Sequence, residues 1–244
     1  MTLGPSVPRR VLLAISEPRE SGTVLETATR VAGRFGAEVE CLVVAQEDML
    51  SLAGLPFARA VASGGLAMPM TASGMEGYFR RLAREVEQDL VARCRTTSLR
   101  WHLEQRRGNL LQQVSVAVRE GDVVVVGRHD LRIPIQKRFA ILRALLSKAS
   151  AVVLPSTIGR ARGPVILPPD LGGDSSALAL GVAAALGAEQ HMGGRAVRDL
   201  LSRQASLIVA RIGPTEAEGD GDFLAEIDAA GIATLLLPPA VKAA

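Results

Sequence analysis

A chain of 244 residues, 48% apolar and 22% charged, carries enough hydrophobic side chain to bury a sizeable core, which excludes the disordered and low-complexity classes. Its longest apolar stretch, Ala177 to Ala188, is well under the ~18 to 20 residues that a bilayer crossing needs, and no charged-then-apolar leader opens the sequence, so a soluble, cytoplasmic protein with no membrane partner is expected. Net charge is +3 but unevenly placed: residues 1–158 carry 21 Lys and Arg against 15 Asp and Glu, and residues 159–244 carry 7 against 10, an asymmetry that points to two units.

Only one Trp and one Tyr accompany the arginines, so the stacking platform of a single-strand binder is missing and no nucleic-acid partner is expected. Cys41 and Cys94 sit in apolar-patterned segments with no CxxC and no histidine pair nearby, which argues against a disulfide framework and against any metal site. Buried reduced thiols are the expectation.

Arg10 to Ser16 (RVLLAIS) is a short continuous apolar run, the pattern of a strand covered on both faces. Ser21 then precedes a helical pattern in which Val24, Leu25, Ala28, Val31, Ala32 and Phe35 recur at i, i+3 and i+4, with Gly36 as a stop. Val39 to Ala45 is a second apolar run. Strand, helix and strand in so short a span make a βαβ unit with parallel strands and a right-handed crossover. Residues 48–77 are rich in Gly, Pro, Ser and Met and lack a sustained period, so a long loop is expected, with a short helix around Pro56 to Val61. Such a length serves as a lid, a partner surface or a mobile segment, and Met49, Met68, Met70 and Met75 suit either adaptable contact or packing on the parent domain.

Helical spacing returns with Phe79, Leu82, Val86, Leu90 and Cys94 on one face. Leu99 to Glu104 alternates, with His102 on the polar side, as a half-exposed edge strand does. A helix from about Asn109 to Arg119 leads to the buried strand Asp122 to Gly127 (DVVVVG). A basic helix with Phe139, Leu142, Leu145, Leu146 and Ala149 leads to the fifth strand, Ala151 to Pro155 (AVVLP). Five strands alternating with helices predict an α/β fold with a doubly wound, Rossmann-like parallel sheet.

Residues 156–163 (STIGRARG) read as a linker, and the pattern then partly restarts. Pro164 to Pro168 is a strand, and Asp170 to Ser176 (DLGGDSS) is a junction whose Asp and Ser are expected to cap the following Ala/Leu-rich helix rather than to cradle a phosphate. Arg195 to Arg203 and Phe223 to Ala230 are expected helices, Ser206 to Ile212 and Ile232 to Pro238 expected strands, and His191 falls in a Gly-flanked turn. AGIATLLLP echoes KASAVVLP, and GPVILPPDLGGDSS echoes RRVLLAISEPRESG. The domain reading is therefore an α/β unit over residues 8–157 and a shortened, degenerate repeat with three strands over residues 158–240.

The strand-ending VVVVG, the RGNLLQQVSVAV segment after the third strand and the SKASAVVLP close, in this order, resemble the universal stress protein family in a tandem form. The resemblance covers Arg10 to Pro155 in element order and Pro164 to Pro239 in outline. It implies strand order 3-2-1-4-5, with any ligand lying where the first and fourth strands diverge. It also implies, for ATP-binding members, an acidic residue ending the first strand and a Gly-x-x-Gly-x9-Gly-Ser/Thr loop after the fourth, whose glycines let backbone N–H groups approach phosphate.

Here the loop starts at Gly127, but Asp130 stands at the second glycine, Ala140-Ile141 at the Gly-Ser pair, and Ser16 at the acidic position. A carboxylate facing phosphate in a partly dry crevice costs on the order of a kcal/mol or more, so ATP and AMP are disfavoured and no cofactor is expected. Arg128, His129, Arg132, Lys137 and Arg138 keep the loop basic, however. The neighbouring Arg128-His129-Asp130 triplet lacks a Ser or Cys nucleophile in matching context, so no catalytic residue and no enzyme activity are expected.

The leading reading is a non-enzymatic regulator acting through protein contacts. An uncovered apolar edge is a liability, so the fifth-strand edges, Ala151 to Leu154 and Thr234 to Leu237, are expected to pair with one another inside the chain or with a second copy. The alternative is a nucleotide or anion sensor using Ser16, Val44, Gly127, Arg128 and His129, with Val44 included because the resemblance implies an adenine contact at the end of the second strand.

Overall fold

The computed structural model describes residues 7–61, 67–131, 135–157, 163–168, 171–188, 191–193, 205–212, 225–226, 229 and 231–239. The apolar run after Arg9 forms β1 (Arg10–Ile15), buried along its whole length. Val11, Leu13 and Ile15 point to one face of the sheet and Leu12 and Ala14 to the other, so the strand serves two apolar layers at once. Each fully buried Leu, Val or Ile there contributes about 1.5–3 kcal/mol.

Helix α1 (Pro18–Phe35) follows β1. It starts three residues before Ser21, because proline fits the first turn, where its missing N–H has no partner to lose. Ser21 lies inside the helix and its Oγ donates to the Pro18 carbonyl at 2.8 Å. Gly36 ends the helix in the left-handed region at φ 65°, as a C-terminal glycine does. β2 (Glu38–Gln46) then pairs parallel with β1.

The segment expected to be a loop carries more structure than its composition predicts. It holds α2 (Glu47–Ala53) and an antiparallel pair, β3 (Arg59–Val61) with β4 (Ala67–Pro69), and Pro56 to Val61 is turn and strand rather than helix. α3 (Ala72–Thr97) begins earlier than its apolar stripe, with the Thr71 hydroxyl accepting from the Gly74 N–H at 3.1 Å as an N-cap. β5 (Trp101–Gly108) runs four residues past Glu104, paired to β2 as far as Gln46.

Asn109 caps α4 (Leu110–Ala117), and β6 (Val123–Val126), α5 (Ile135–Leu146) and β7 (Ala151–Leu154) complete the first half. The second half holds β8 (Val165–Leu167), α6 (Gly173–Leu186), β9 (His191–Gly193), β10 (Leu207–Arg211) and β11 (Ala233–Leu237).

Two expectations for this half change. His191 belongs to the strand β9, so four strands are present where the pattern predicts three. The N-cap of α6 is Gly172, without a side-chain cap bond, and Asp174 instead sits in the first turn. Asp170 and the helix expected over Arg195 to Arg203 lie outside the described residues, as does most of the one over Phe223 to Ala230.

The nine strands β5-β2-β1-β6-β7-β11-β10-β8-β9 form one sheet in that order. The first five follow the expected 3-2-1-4-5 order. The two halves join where β7 meets β11 antiparallel, with Val152 opposite Leu236, Val153 opposite Leu235 and Leu154 opposite Thr234. The two fifth-strand edges thus pair inside the chain, and every other described contact in the sheet is parallel. One apolar layer lies under α1, α3 and α6, the other under α4 and α5, and each continues across the junction. Cys41 and Cys94 are buried and unpaired, and burial pushes both thiols up. No helix among the described residues is long and apolar enough to cross a membrane.

Candidate functional site

β1 and β6 are parallel neighbours, yet the chain leaves β1 into α1 on one face and leaves β6 towards α5 on the other. A crevice opens between such strands at their C-terminal ends, the usual ligand position in an open α/β sheet. Ser16, Gly127 and His129 converge there. Ser16 is 1% exposed, and its hydroxyl donates to Asp130 Oδ1 at 2.7 Å while accepting from Gln46 Nε2 at 2.7 Å. Nothing in the sequence pattern singles out Gln46, which ends β2, one strand away.

The loop from Gly127 tightens into a 3-10 turn over His129–Leu131. The backbone N–H of His129, one of the donors that a phosphate would use, donates instead to Glu20 Oε2 at 2.8 Å. A Cβ placed on Gly127 would meet Glu20 Oε2 at 2.4 Å and Asp130 Oδ2 at 3.1 Å, so both carboxylates stand directly over that glycine. A third, Glu17, places Oε2 3.7 Å from His129 Nδ1. Burial first, then Glu20 and Glu17, push the Asp130 carboxyl up to about 6 against the opposing effect of the Ser16 hydrogen bond. Neither glutamate stands out in the sequence, although their i, i+3 spacing puts them on one side of the start of α1.

Arg128 faces elsewhere. It is 8% exposed, and its Nε donates to the Pro155 carbonyl at 3.0 Å. One terminal nitrogen donates to Thr234 Oγ1 at 3.0 Å and to the carbonyl of Ile232. Burial lowers its pKa to about 10, opposed by Glu20 and assisted by Arg138. The guanidinium therefore fastens the loop after β6 to the ends of β7 and β11. Val44 is fully buried in the layer under α4 and α5.

Ala140 and Ile141, the positions that the resemblance aligns with a Gly-Ser pair, are helical. α5 begins at Ile135, so Ala140 and Ile141 lie inside a helix, where their N–H groups are committed to the preceding turn. The cavity bordering Gly127, Glu20, Arg128 and Ser156 measures about 140 Å³, below the ~300 Å³ at which small-molecule pockets begin. No group of three His, Cys, Asp or Glu side chains among the described residues is placed to hold a metal ion.

No protein-family model matches the chain, and no curated protein matches it. Solved structures do. A universal stress protein from Archaeoglobus fulgidus DSM 4304 aligns with a TM-score of 0.57 at 12% identity, over 98% of this chain and 99% of that one. The chain has the universal stress protein fold. A Pseudomonas aeruginosa UCBPP-PA14 structure described as a universal stress protein aligns with a TM-score of 0.50 at 14% identity, over 96% of this chain and 94% of that one. The likeness extends over both halves of the nine-stranded sheet, and at these identities it is a likeness of fold. The universal stress protein fold thus supplies the crevice, while Glu20 and Asp130 decide what surrounds it.

Proposed function

We propose that this chain is a non-enzymatic regulator of the universal stress protein kind, acting through protein contacts and without ATP in the β1/β6 crevice. The observation that carries this reading is the Glu20 carboxylate on the His129 N–H, over Gly127. The chain's own anion takes the donor that a nucleotide phosphate requires, and Asp130 adds a second carboxylate beside it. The start of α5 at Ile135 supports the same conclusion, since Ala140 and Ile141 offer no loop N–H groups. The strand order β9-β8-β10-β11 parallels β2-β1-β6-β7, which supports reading residues 158–240 as a shortened repeat of residues 8–157. For a protein partner, Leu52, Leu55, Phe57 and Met68 on and beside α2 and β4 leave large apolar side chains exposed, Phe57 by 76%.

Isothermal titration of the full chain with MgATP, AMP and cyclic dinucleotides tests the reading. No saturable heat is expected at micromolar concentrations, and micromolar ATP binding would overturn it in favour of a nucleotide sensor. Replacing Glu20→Ala and Asp130→Gly together removes both carboxylates from the crevice. ATP affinity then rises by roughly tenfold or more, the size expected when like charge is withdrawn from a partly dry site.

A further inference from the structure

A separate cavity of about 300 Å³ lies over the C-terminal ends of β2 and β5, on the face covered by α3. It shares no lining residue with the β1/β6 crevice. Side chains alternate along a strand, so Val43 and Ala45 of β2 and Gln105 of β5 present themselves to this face. Phe79 of α3 forms one wall, 6% exposed, and Leu50 of α2 another, packed on the same apolar layer. The segment between β2 and α3, whose composition predicts a loop, thereby closes one side of a built pocket.

The mouth is charged, and its charges do not cancel. Arg107 of β5 and Glu76 of α3 pair at 3.1 Å, with side chains 71% and 45% exposed. Pairs this open to water contribute little and are readily exchanged for another partner. Arg106 also borders the cavity, but its guanidinium pairs with Glu104 two residues back on the opposite face of the strand. Arg80 Nε donates to the Glu76 carbonyl at 3.4 Å, and Arg80 forms no ion pair among the described residues. One net positive charge therefore stands over an apolar floor, in a volume that matches the lower end of ligand pockets.

We infer that this cavity binds a small amphipathic monoanion, an acyl or aryl carboxylate of roughly ten to fifteen non-hydrogen atoms at interior packing density. Its apolar part lies on Val43, Leu50 and Phe79, and its head meets Arg80 and Arg107. A neutral ligand leaves Arg80 without a counter-charge, and a polyphosphate sets its excess charge against Glu76.

Titration of the full-length chain with 2-naphthoate, a single carboxylate on an aromatic body of the inferred size, tests this by calorimetry and fluorescence. One saturable site per chain is expected. Arg80→Glu weakens it by about tenfold or more, Arg80→Lys keeps it within about threefold, and an excess of MgATP leaves it unchanged. Phe57→Ser, on the exposed apolar surface outside the cavity, also leaves it unchanged. The assignment is overturned by the absence of saturable binding, by equal affinity in the wild type and Arg80→Glu, or by loss of binding in Phe57→Ser. Circular dichroism of each variant establishes that the exposed substitutions leave the fold intact.

Discussion

Asp130 is a residue whose environment works against its charge. Its carboxyl titrates near 6 in the fold, because burial and the neighbouring Glu20 and Glu17 outweigh the Ser16 hydroxyl, whereas in the unfolded chain it titrates near the ordinary 3.8. Between those values the folded state binds more protons than the unfolded state, so stability falls as pH rises through about 4 to 6 and the penalty is complete above 6. Asp130→Asn keeps an oxygen acceptor for Ser16 and removes the charge. After allowance for solvent screening, stability at neutral pH is expected to rise by about 1–2 kcal/mol, with a flatter profile between pH 4 and 6. Urea unfolding across that range measures both, and an unchanged slope would show that Asp130 is not the group responsible. Arg10 presents the opposite case. Its guanidinium is nearly buried, yet it donates to Asp122 at 2.5 and 3.0 Å, to the Ala117 carbonyl at 2.8 Å, and to Glu40. Desolvation lowers its pKa, but Asp122 and Glu40 more than compensate and raise it. A charge at the head of an apolar run carries no sequence mark of two partners, one of them 112 residues away.

At the scale of elements, legibility follows periodicity. β1, β2, β6 and β7 are continuous apolar runs and α1 and α3 bear apolar stripes, so burial alone specifies them. β9 is three residues long with polar His191 at its start, and β3 and β4 are equally short, too few positions for a period to show. The start of α1 follows the backbone preference of Pro18 rather than the capping preference of Ser21. The crevice is half legible. Gly127 and Asp130 stand in a recognisable loop, but Glu20 acts on that loop from 109 residues away in sequence, and only the fold brings them together. Element packing makes its own prediction at Gly181 of α6. A Cβ there would lie 2.4 Å from Phe35 Cζ of α1, so glycine lets the two helices approach. Gly181→Leu forces the helices apart or Phe35 out of place, and is expected to cost about 1–3 kcal/mol despite the gain in helix propensity. Chemical denaturation measures the loss, and adding Phe35→Ala should restore part of it. Full additivity of the two changes would refute the direct clash.

For the whole molecule, the antiparallel junction of β7 with β11 is the feature on which the single sheet depends. It is short, three residue pairs, and its strength comes from what surrounds it: α6 seated on α1, and Arg128 spanning the ends of both strands. Arg128 satisfies the Pro155 and Ile232 carbonyls in a place closed to water, so its removal strands buried acceptors as well as cutting the tie. Antiparallel pairing of two like edges is self-complementary, and so a β7 deprived of β11 has a ready partner in another β7. A chain ending at residue 157 therefore exposes both that strand edge and the face of α1 that α6 covers. It is expected to form dimers through β7 at micromolar concentration, while the full-length chain, with both edges consumed, does not associate by this route. Native mass spectrometry of the two forms at matched concentrations decides the matter. A shortened chain that stays monomeric and fully folded would mean that the junction is incidental to the first unit. Dimers abolished by Val153→Pro, which cannot donate to a strand partner, would place the contact on β7 itself.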